Sequence, residues 1–353
     1  MPSYDDPSVP APLPRLGLGT VAIGGLYTPV TADDAQALLE HAARRGVRYA
    51  DTAPMYGSTT AERRIGAFLD RSGRRDELVL STKVGRILRP RRLHAGPRAG
   101  RDFGWRNGGP FVEHWDYSYD GVLRSVEDSL QRMGVDRLDI VHVHDIGVAI
   151  HGDDNPRHVA ALRSGGYRAL DELRAAGVVG RIGVGANETA AIESVLDDID
   201  LDCALLAGRF TLLEQPSDDS FFRRCADRGV ALVAGGVYAA GALTGAGRYA
   251  YVEAPKEVLD RVARLGKVCA RHGVELPAAA VQLVAANPGF TSLLLGPRDV
   301  AELDQNLAWL ADPVPADLWA ELVAEDLLAE QWAPTPGRTT TITLEPAPSP
   351  ADR

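Results

Sequence analysis

Four side chains, far apart in the chain, could together move a proton: Asp51, Tyr56, Lys83 and His144. Asp51 and Tyr56 stand in Asp51-Thr52-Ala53-Pro54-Met55-Tyr56-Gly57. Lys83 ends Leu78-Val79-Leu80-Ser81-Thr82-Lys83, and His144 ends Leu138-Asp139-Ile140-Val141-His142-Val143-His144. Each group lies at the C-terminal end of a short run that reads as a β-strand. In a barrel of parallel strands those ends converge on one mouth. A phenol has an ordinary pKa of about 10, too high to trade protons easily near neutrality. A nearby ammonium favours the phenolate and lowers that value. Lys83 could supply the charge and Asp51 could hold Lys83, making Tyr56 a plausible general acid/base. His144 could hydrogen-bond a carbonyl or hydroxyl oxygen and orient the substrate. None of the four is an obvious nucleophile with its own base, so acyl transfer is disfavoured. A proton relay of this kind suits carbonyl reduction or alcohol oxidation, with the hydride carried by a cofactor.

These groups need elements to hold them. Strand-like runs begin near Leu16, Val47, Leu78, Leu138, Arg181, Asp202, Val230 and Thr291, with helical patterns between them. Thr31 can cap a helix with Ala35, Leu38, Leu39 and Ala42 on its apolar face, closed by Gly46. Ser118 can cap another, with Val122, Val126, Leu130 and Met133 along one side. Strand–helix alternation forces parallel strands and right-handed crossovers. Eight units predict an α/β fold, a closed (β/α)8 TIM barrel with long loops over its C-terminal mouth, rather than an open doubly wound sheet. A chain of 353 residues accommodates one such domain, over residues 1–333, and a loose Pro- and Thr-rich tail over 334–353.

Two stretches break the rhythm. Arg86 to Tyr117 is rich in Arg and Gly and carries Phe103, Trp105, Phe111 and Trp115. It follows Lys83, so it reads as a long loop over the mouth, acting as a substrate lid or as a covering flap. Asp145 to His158 is polar, with His151, Asp153 and Asp154. Trp105 and Trp115 could stack on a substrate face or simply close the loop. His142 shares a strand face with His144 and reads as packed inside the barrel. Arg209 reads as structural.

The net charge of −10 argues against nucleic acid as a partner. No apolar run is long enough to span a bilayer, and the Pro-rich start is unlike a secretory leader. Cys203, Cys225 and Cys269 are odd in number and far apart, which predicts reduced thiols in the cytoplasm and no zinc spacing. A His-x-His pair at 142 and 144 keeps a metal-dependent hydrolase open as a rival, although no further ligand context is evident.

Together, Asp51-Thr-Ala-Pro-Met-Tyr56-Gly57, Ser81-Thr82-Lys83-Val84-Gly85 and Asp139-Ile140-Val141-His142-Val143-His144 resemble the aldo-keto reductase superfamily from about Leu16 to Leu310. The resemblance implies a (β/α)8 barrel and NAD(P)(H). It also implies roles: Tyr56 as acid/base, tuned by Lys83 and Asp51, and His144 on the substrate oxygen. Gly24-Gly25-Leu26-Tyr27, Tyr117-Ser-Tyr-Asp-Gly121 and Leu206-Ala-Gly-Arg-Phe210 are similar to the branch that oxidises sugars or pyridoxal. That likeness implies oxidation of an aldose such as L-fucose at C1 to its lactone, or of pyridoxal at its hemiacetal carbon. A generic NADPH aldehyde reductase and a non-catalytic, cofactor-binding regulatory subunit are the remaining readings. The implied substrate is a small sugar or hemiacetal, with Tyr27, Trp105 and Trp115 in its pocket.

Cofactor contacts are expected at Gly19, Thr20, Asn187, Gly235, Gly236, Gly296, Arg298, Glu302, Gln305 and Asn306. Asn187 stands one position late for the residue that holds the nicotinamide amide, and Tyr238 could replace a missing aromatic near Gly235. Gly296 to Asn306 follows a strand and opens a helix, so free N–H groups there can hold phosphate. Arg298 could pair with a 2′-phosphate or the pyrophosphate. Glu302 would repel a 2′-phosphate and accept from a ribose hydroxyl, which favours NAD over NADP. The alternative for Asp299 and Glu302 is that they are first-turn acids favouring the helix dipole.

Overall fold

The computed structural model describes residues 12–94 and 104–335, together with Ile342 and Leu344. Short β-branched and leucine-rich runs bounded by turns become strands. β1 (Leu16–Gly19), β2 (Tyr49–Asp51) and β3 (Val79–Val84) are followed by a hairpin of β4 (Arg86–Pro90) and β5 (Phe111–Trp115). Next come β6 (Leu138–His144), β7 (Val179–Ala186), β8 (Cys203–Ala207) and β9 (Ala231–Gly235). A second hairpin, β10 (Arg248–Tyr249) and β11 (Val252–Glu253), precedes β12 (Ser292–Leu295). Apart from the hairpins, the strands close a parallel barrel in the order β1-β12-β9-β8-β7-β6-β3-β2, with Leu18 opposite Ala50 at the closure.

The crossover helices form where their caps predict. The Thr31 hydroxyl accepts from the Asp34 N–H at 3.0 Å and starts the helix Ala32–Arg44, which buries Ala35, Leu38, Leu39 and Ala42. Ser118 does the same for Tyr119–Met133 through the Gly121 N–H. Satisfying those first N–H groups removes the orphan donors a helix start would otherwise leave. The main apolar core lies between the strands and these helices, and a smaller one of Leu13, Tyr49, Ile140, Cys203, Leu205, Val233 and Leu294 fills the barrel interior.

Residues two apart on a strand share a face. Tyr49 and Asp51 on β2, Ser81 and Lys83 on β3, and Ile140, His142 and His144 on β6 therefore form three inward rows. Tyr49 and Ile140 fill the lower barrel, while the polar members stand nearer the mouth.

One expectation needs correction. Residues 86–117 are not one unstructured loop: β4 and β5 pair antiparallel from Arg86–Trp115 to Pro90–Phe111. The alternation Phe111-Val-Glu-His-Trp115 carries that strand signal, but its partner lies about twenty residues away. Residues 145–158 are largely helical, with Val148–His151 and the start of Asn155–Ala161. Phe103 lies outside the described residues, as does most of the predicted tail. Ile342 and Leu344, from that tail, are half-buried against the main core.

Candidate active site

The mouth is organised by the carboxylate that ends β2. Asp51 accepts from Lys83 Nζ at 2.6 Å on one oxygen and from the Ser81 hydroxyl at 2.6 Å on the other. Lys83 also donates to the Thr52 carbonyl at 2.8 Å. Both partners are almost fully buried, at 2% and 4% side-chain exposure. A buried ion pair is tolerable only when its remaining lone pairs and protons find partners, and Ser81 and Thr52 supply them.

Tyr56 follows in the turn after β2. Its N–H donates to the Ala53 carbonyl at 3.0 Å, and its carbonyl accepts from the Ala61 N–H at 3.1 Å. Gly57 adopts φ +62°, and a Cβ there would strike the Gly24 carbonyl, so the loop after β1 can close against this turn only over a glycine. The turn sets the Tyr56 ring centroid 4.8 Å from Lys83 Nζ and 6.2 Å from the His144 ring, edge to face. The structure thus brings all four candidate residues to one point.

Their electrostatics differ from the expectation in one respect. The Tyr56 phenol stands raised, not lowered. Burial pushes its phenol well above the ordinary range, and Asp51, Tyr251 and Asp145 add to the rise, with Arg86 opposing. The Lys83 ammonium is matched by the Asp51 carboxylate, so little net positive charge reaches the phenol. His144 is held well below the ordinary histidine value by burial first, then by Arg86, Lys83 and His142. It is a neutral imidazole whose Nδ1 has no partner among the described residues. His142 lies fully buried beside Lys83 inside the barrel, pushed down by burial to about 4. No cluster of three metal-ligating side chains occurs among the described residues.

Side chains around this point form the walls. Trp105 pairs with Leu26 in an isolated bridge and faces Tyr56 with ring centroids 6.2 Å apart. Tyr27, at φ +62°, donates its hydroxyl to the Tyr251 carbonyl at 3.0 Å, and Arg248 stacks on its ring at 3.9 Å. Trp115 does not offer itself as a sugar platform. Its ring packs against Arg86 at 4.1 Å, Tyr117 at 6.0 Å and His151 at 4.5 Å, so it backs the arginine.

A further part of the rim is made of backbone. Gly19, Gly296 and Gly235–Gly236 end the adjacent strands β1, β12 and β9. A Cβ on Gly19 or Gly296 would meet nothing nearer than 3.6 Å, and Gly236 and Gly296 are exposed. This arc of glycines leads to the helix Val300–Ala311, and its exposed members would leave room for a nicotinamide dinucleotide. Gln305 is exposed on that helix.

Several expected contacts are otherwise engaged. Thr20 is fully buried, and its hydroxyl donates to the Asp51 carbonyl at 2.9 Å, so it braces β2 instead of facing the rim. Asn306 is buried, donating to the Glu302 carbonyl and accepting from the Tyr238 hydroxyl at 2.5 Å, so its amide is turned to the protein. Asp299 caps the helix by accepting from the Glu302 N–H at 2.9 Å. Glu302 accepts from the Arg298 side chain and from its N–H at 2.8 Å, so each is the other's partner. Asn187 donates to the Ala207 carbonyl at 3.0 Å. Arg209 has definite partners, Glu214 and the Asn187 carbonyl.

Tyr251 and the pair Arg86–Asp145 were not foreseen as site residues. The Tyr-Ala-Tyr-Val run at 249–252 is a weak hairpin signal. Nothing local links Arg86 to Asp145, which stand 59 positions apart.

Comparison with known proteins agrees with this geometry. The model of the Aldo/keto reductase family matches residues 15–325. Pyridoxal 4-dehydrogenase of Microbacterium luteolum is 43% identical over 89% of this chain and 94% of its own. D-threo-aldose 1-dehydrogenase of a Pseudomonas species is 37% identical over 92% and 96%. In fold, the chain superposes on an aldo-keto reductase of Bacillus halodurans in its holo form with a TM-score of 0.66 at 20% identity, covering 90% and 95% of the two chains. The chain therefore belongs to the aldo/keto reductase family, oxidoreductases that use NAD(P)H.

Proposed function

We propose that this protein oxidises a cyclic hemiacetal, an aldose such as L-fucose, at C1 to the lactone, with NAD as the preferred acceptor. The observation that carries this reading is the meeting of Tyr56, His144 and the sealed Lys83–Asp51 pair beneath one open mouth. The names of the two relatives, an aldose and a pyridoxal dehydrogenase, support a hemiacetal carbon as the reacting centre. Pyridoxal is the second reading, favoured by the 43% identity to the pyridoxal enzyme.

The bound nicotinamide supplies the hydride acceptor. The protein's own groups do the rest. His144, neutral, donates to the C1 oxygen and orients it. Tyr56 stands at the same oxygen and takes its proton as the carbonyl forms. Since its phenol is held protonated, Tyr56 must first release a proton, so oxidation should quicken as pH rises. Lys83 is fixed by Asp51 and Thr52, which keeps a cation within reach of the phenolate as it forms. Preference for NAD rests on the Arg298–Glu302 pair: the guanidinium that could bind a 2′-phosphate is already neutralised. We place the protein in the cytoplasm, since its three cysteines are buried free thiols, and its partner is a small sugar or hemiacetal, not nucleic acid or membrane. No helix among the described residues is long and apolar enough to cross a membrane.

The test is nicotinamide absorbance with NAD or NADP against L-fucose, D-arabinose, L-galactose, other aldoses and pyridoxal. Reduction of NAD by a fucose-configured sugar is expected, and Tyr56→Phe should abolish it while leaving cofactor binding intact. Reduction only with pyridoxal replaces the substrate. Cofactor binding without turnover on any of them overturns the catalytic reading.

A further inference from the structure

We propose that Arg86 is a positioning residue that withholds the Asp145 carboxylate from His144, so that the imidazole stays neutral and available to a substrate oxygen. The inference deepens the proposed function and rests on the role given there to His144.

Asp145 follows His144 directly and adopts φ +52°, a conformation L-residues rarely take. Its N–H donates to the Gly185 carbonyl at 2.8 Å, so the backbone is tied where β6 meets β7. The unusual φ keeps the Asp145 side chain at the mouth. There its Oδ2 bonds Arg86 Nη2, while the same oxygen stands 3.5 Å from His144 Nε2. That separation is beyond a good hydrogen bond, although a free carboxylate beside an imidazole would be expected to close upon it.

Arg86 prevents the closure because it is itself immobile. Its other nitrogen bonds Glu113 at 2.7 Å, its plane lies over Trp115, and it is almost fully buried. Planar guanidinium suits such two-sided bridging of carboxylates, which an ammonium does not reproduce. On the far side, Tyr117 donates to the His144 carbonyl at 2.7 Å and contacts His151 at 2.9 Å, fixing the strand end.

Burial does most to keep His144 neutral, and the charges facing it add to that. Arg86 and Glu113 come from the β4–β5 hairpin, Lys83 from β3 with Asp51 from β2, and His142 from β6 itself. Tyr56 faces it from the turn after β2, and Tyr251 reaches the same mouth from the β10–β11 hairpin. Lys83 is matched by Asp51, so Asp145 is the acid nearest the imidazole, and Arg86 compensates it. Without Arg86, the Asp145 charge acts on His144 uncompensated and favours the imidazolium.

The experiment is imidazole NMR titration of the full-length chain, with the His144 signal assigned by its loss in His144→Asn. In the native protein His144 should stay neutral through the range in which exposed histidines protonate. Arg86→Met should raise its midpoint by about one to three pH units. Adding Asp145→Asn to that variant should bring the midpoint back. A matching ionisation should enter the pH profile of kcat/KM in Arg86→Met alone. An unchanged midpoint in Arg86→Met, or a shift that survives Asp145→Asn, overturns the proposal. If Arg86→Met does not fold, Arg86→Gln with Glu113→Gln removes the cation without stranding Glu113, and the same shift is required. A shifted midpoint with no turnover on any hemiacetal leaves the withholding intact and sinks the proposed function. Turnover with no shift does the reverse.

Discussion

Two ion pairs around the mouth differ in almost every respect. Lys83–Asp51 joins two strands, is nearly sealed from solvent, and has Ser81 and Thr52 as further partners. Arg298–Glu302 is an i,i+4 pair at a helix start, with side chains 50% and 32% exposed. Exposed pairs contribute about 0–1 kcal/mol and open readily. Breaking one member of a buried pair costs about 3–5 kcal/mol, because a stranded charge remains. The comparison separates the chemical side of the site, built never to rearrange, from a rim whose charge is displaceable. A permanent pair holds a cation against a phenol. A separable one stands exposed at a helix start.

The sharpest way to break that contrast is Lys83→Met. We expect turnover to fall by at least about 1,000-fold and unfolding free energy by about 3–5 kcal/mol as Asp51 is left alone, read by steady-state kinetics and denaturant unfolding. Retained stability would mean that Asp51 takes up a proton or another partner at little cost.

The buried histidine beneath the pair gives the next effect. His142 is neutral when folded, its value lowered from 6.5 to about 4. A base whose folded value is lowered binds protons more readily when unfolded, so its contribution is present above the unfolded value and is lost as pH falls towards the folded one. Stability should decline from about pH 6.5 to pH 4, by about 3 kcal/mol for this group at most. His142→Gln should flatten that slope in unfolding curves at pH 7 and pH 5; an unaltered slope would assign the acid sensitivity elsewhere.

At the rim, Glu302→Gln should leave stability within about 0.5 kcal/mol and free Arg298 for phosphate. The NADP/NAD ratio of kcat/KM should rise by about tenfold, the size of a single new charge-assisted contact. An unchanged ratio would show that this pair does not read the ribose.

Much of this architecture is legible in the sequence, for local reasons. Thr31 and Ser118 start helices because their hydroxyls reach the N–H three residues on. β3 and β6 are marked by apolar runs, and Lys83 and His144 are placed at the mouth simply by closing those runs. The β4–β5 hairpin was missed because Arg86 pairs with Trp115 across a connection whose length no short motif declares. Thr20 and Asn306 were assigned to the cofactor from their neighbourhood, yet their hydrogen bonds turn them inward.

By itself, the sequence determined what depends on near neighbours and on period: the eight strands, the shared face of His142 and His144, the helix caps, and the four reactive groups at or just after strand ends. Only the tertiary structure decided which charges face which. It set Arg86 against Asp145 and Glu113, stacked that arginine on Trp115, paired Lys83 with Asp51, and buried the Tyr56 phenol so that it rises instead of falling. The physical reason is that strand and helix patterns are read over a few residues, whereas desolvation and Coulomb interaction follow distance in space.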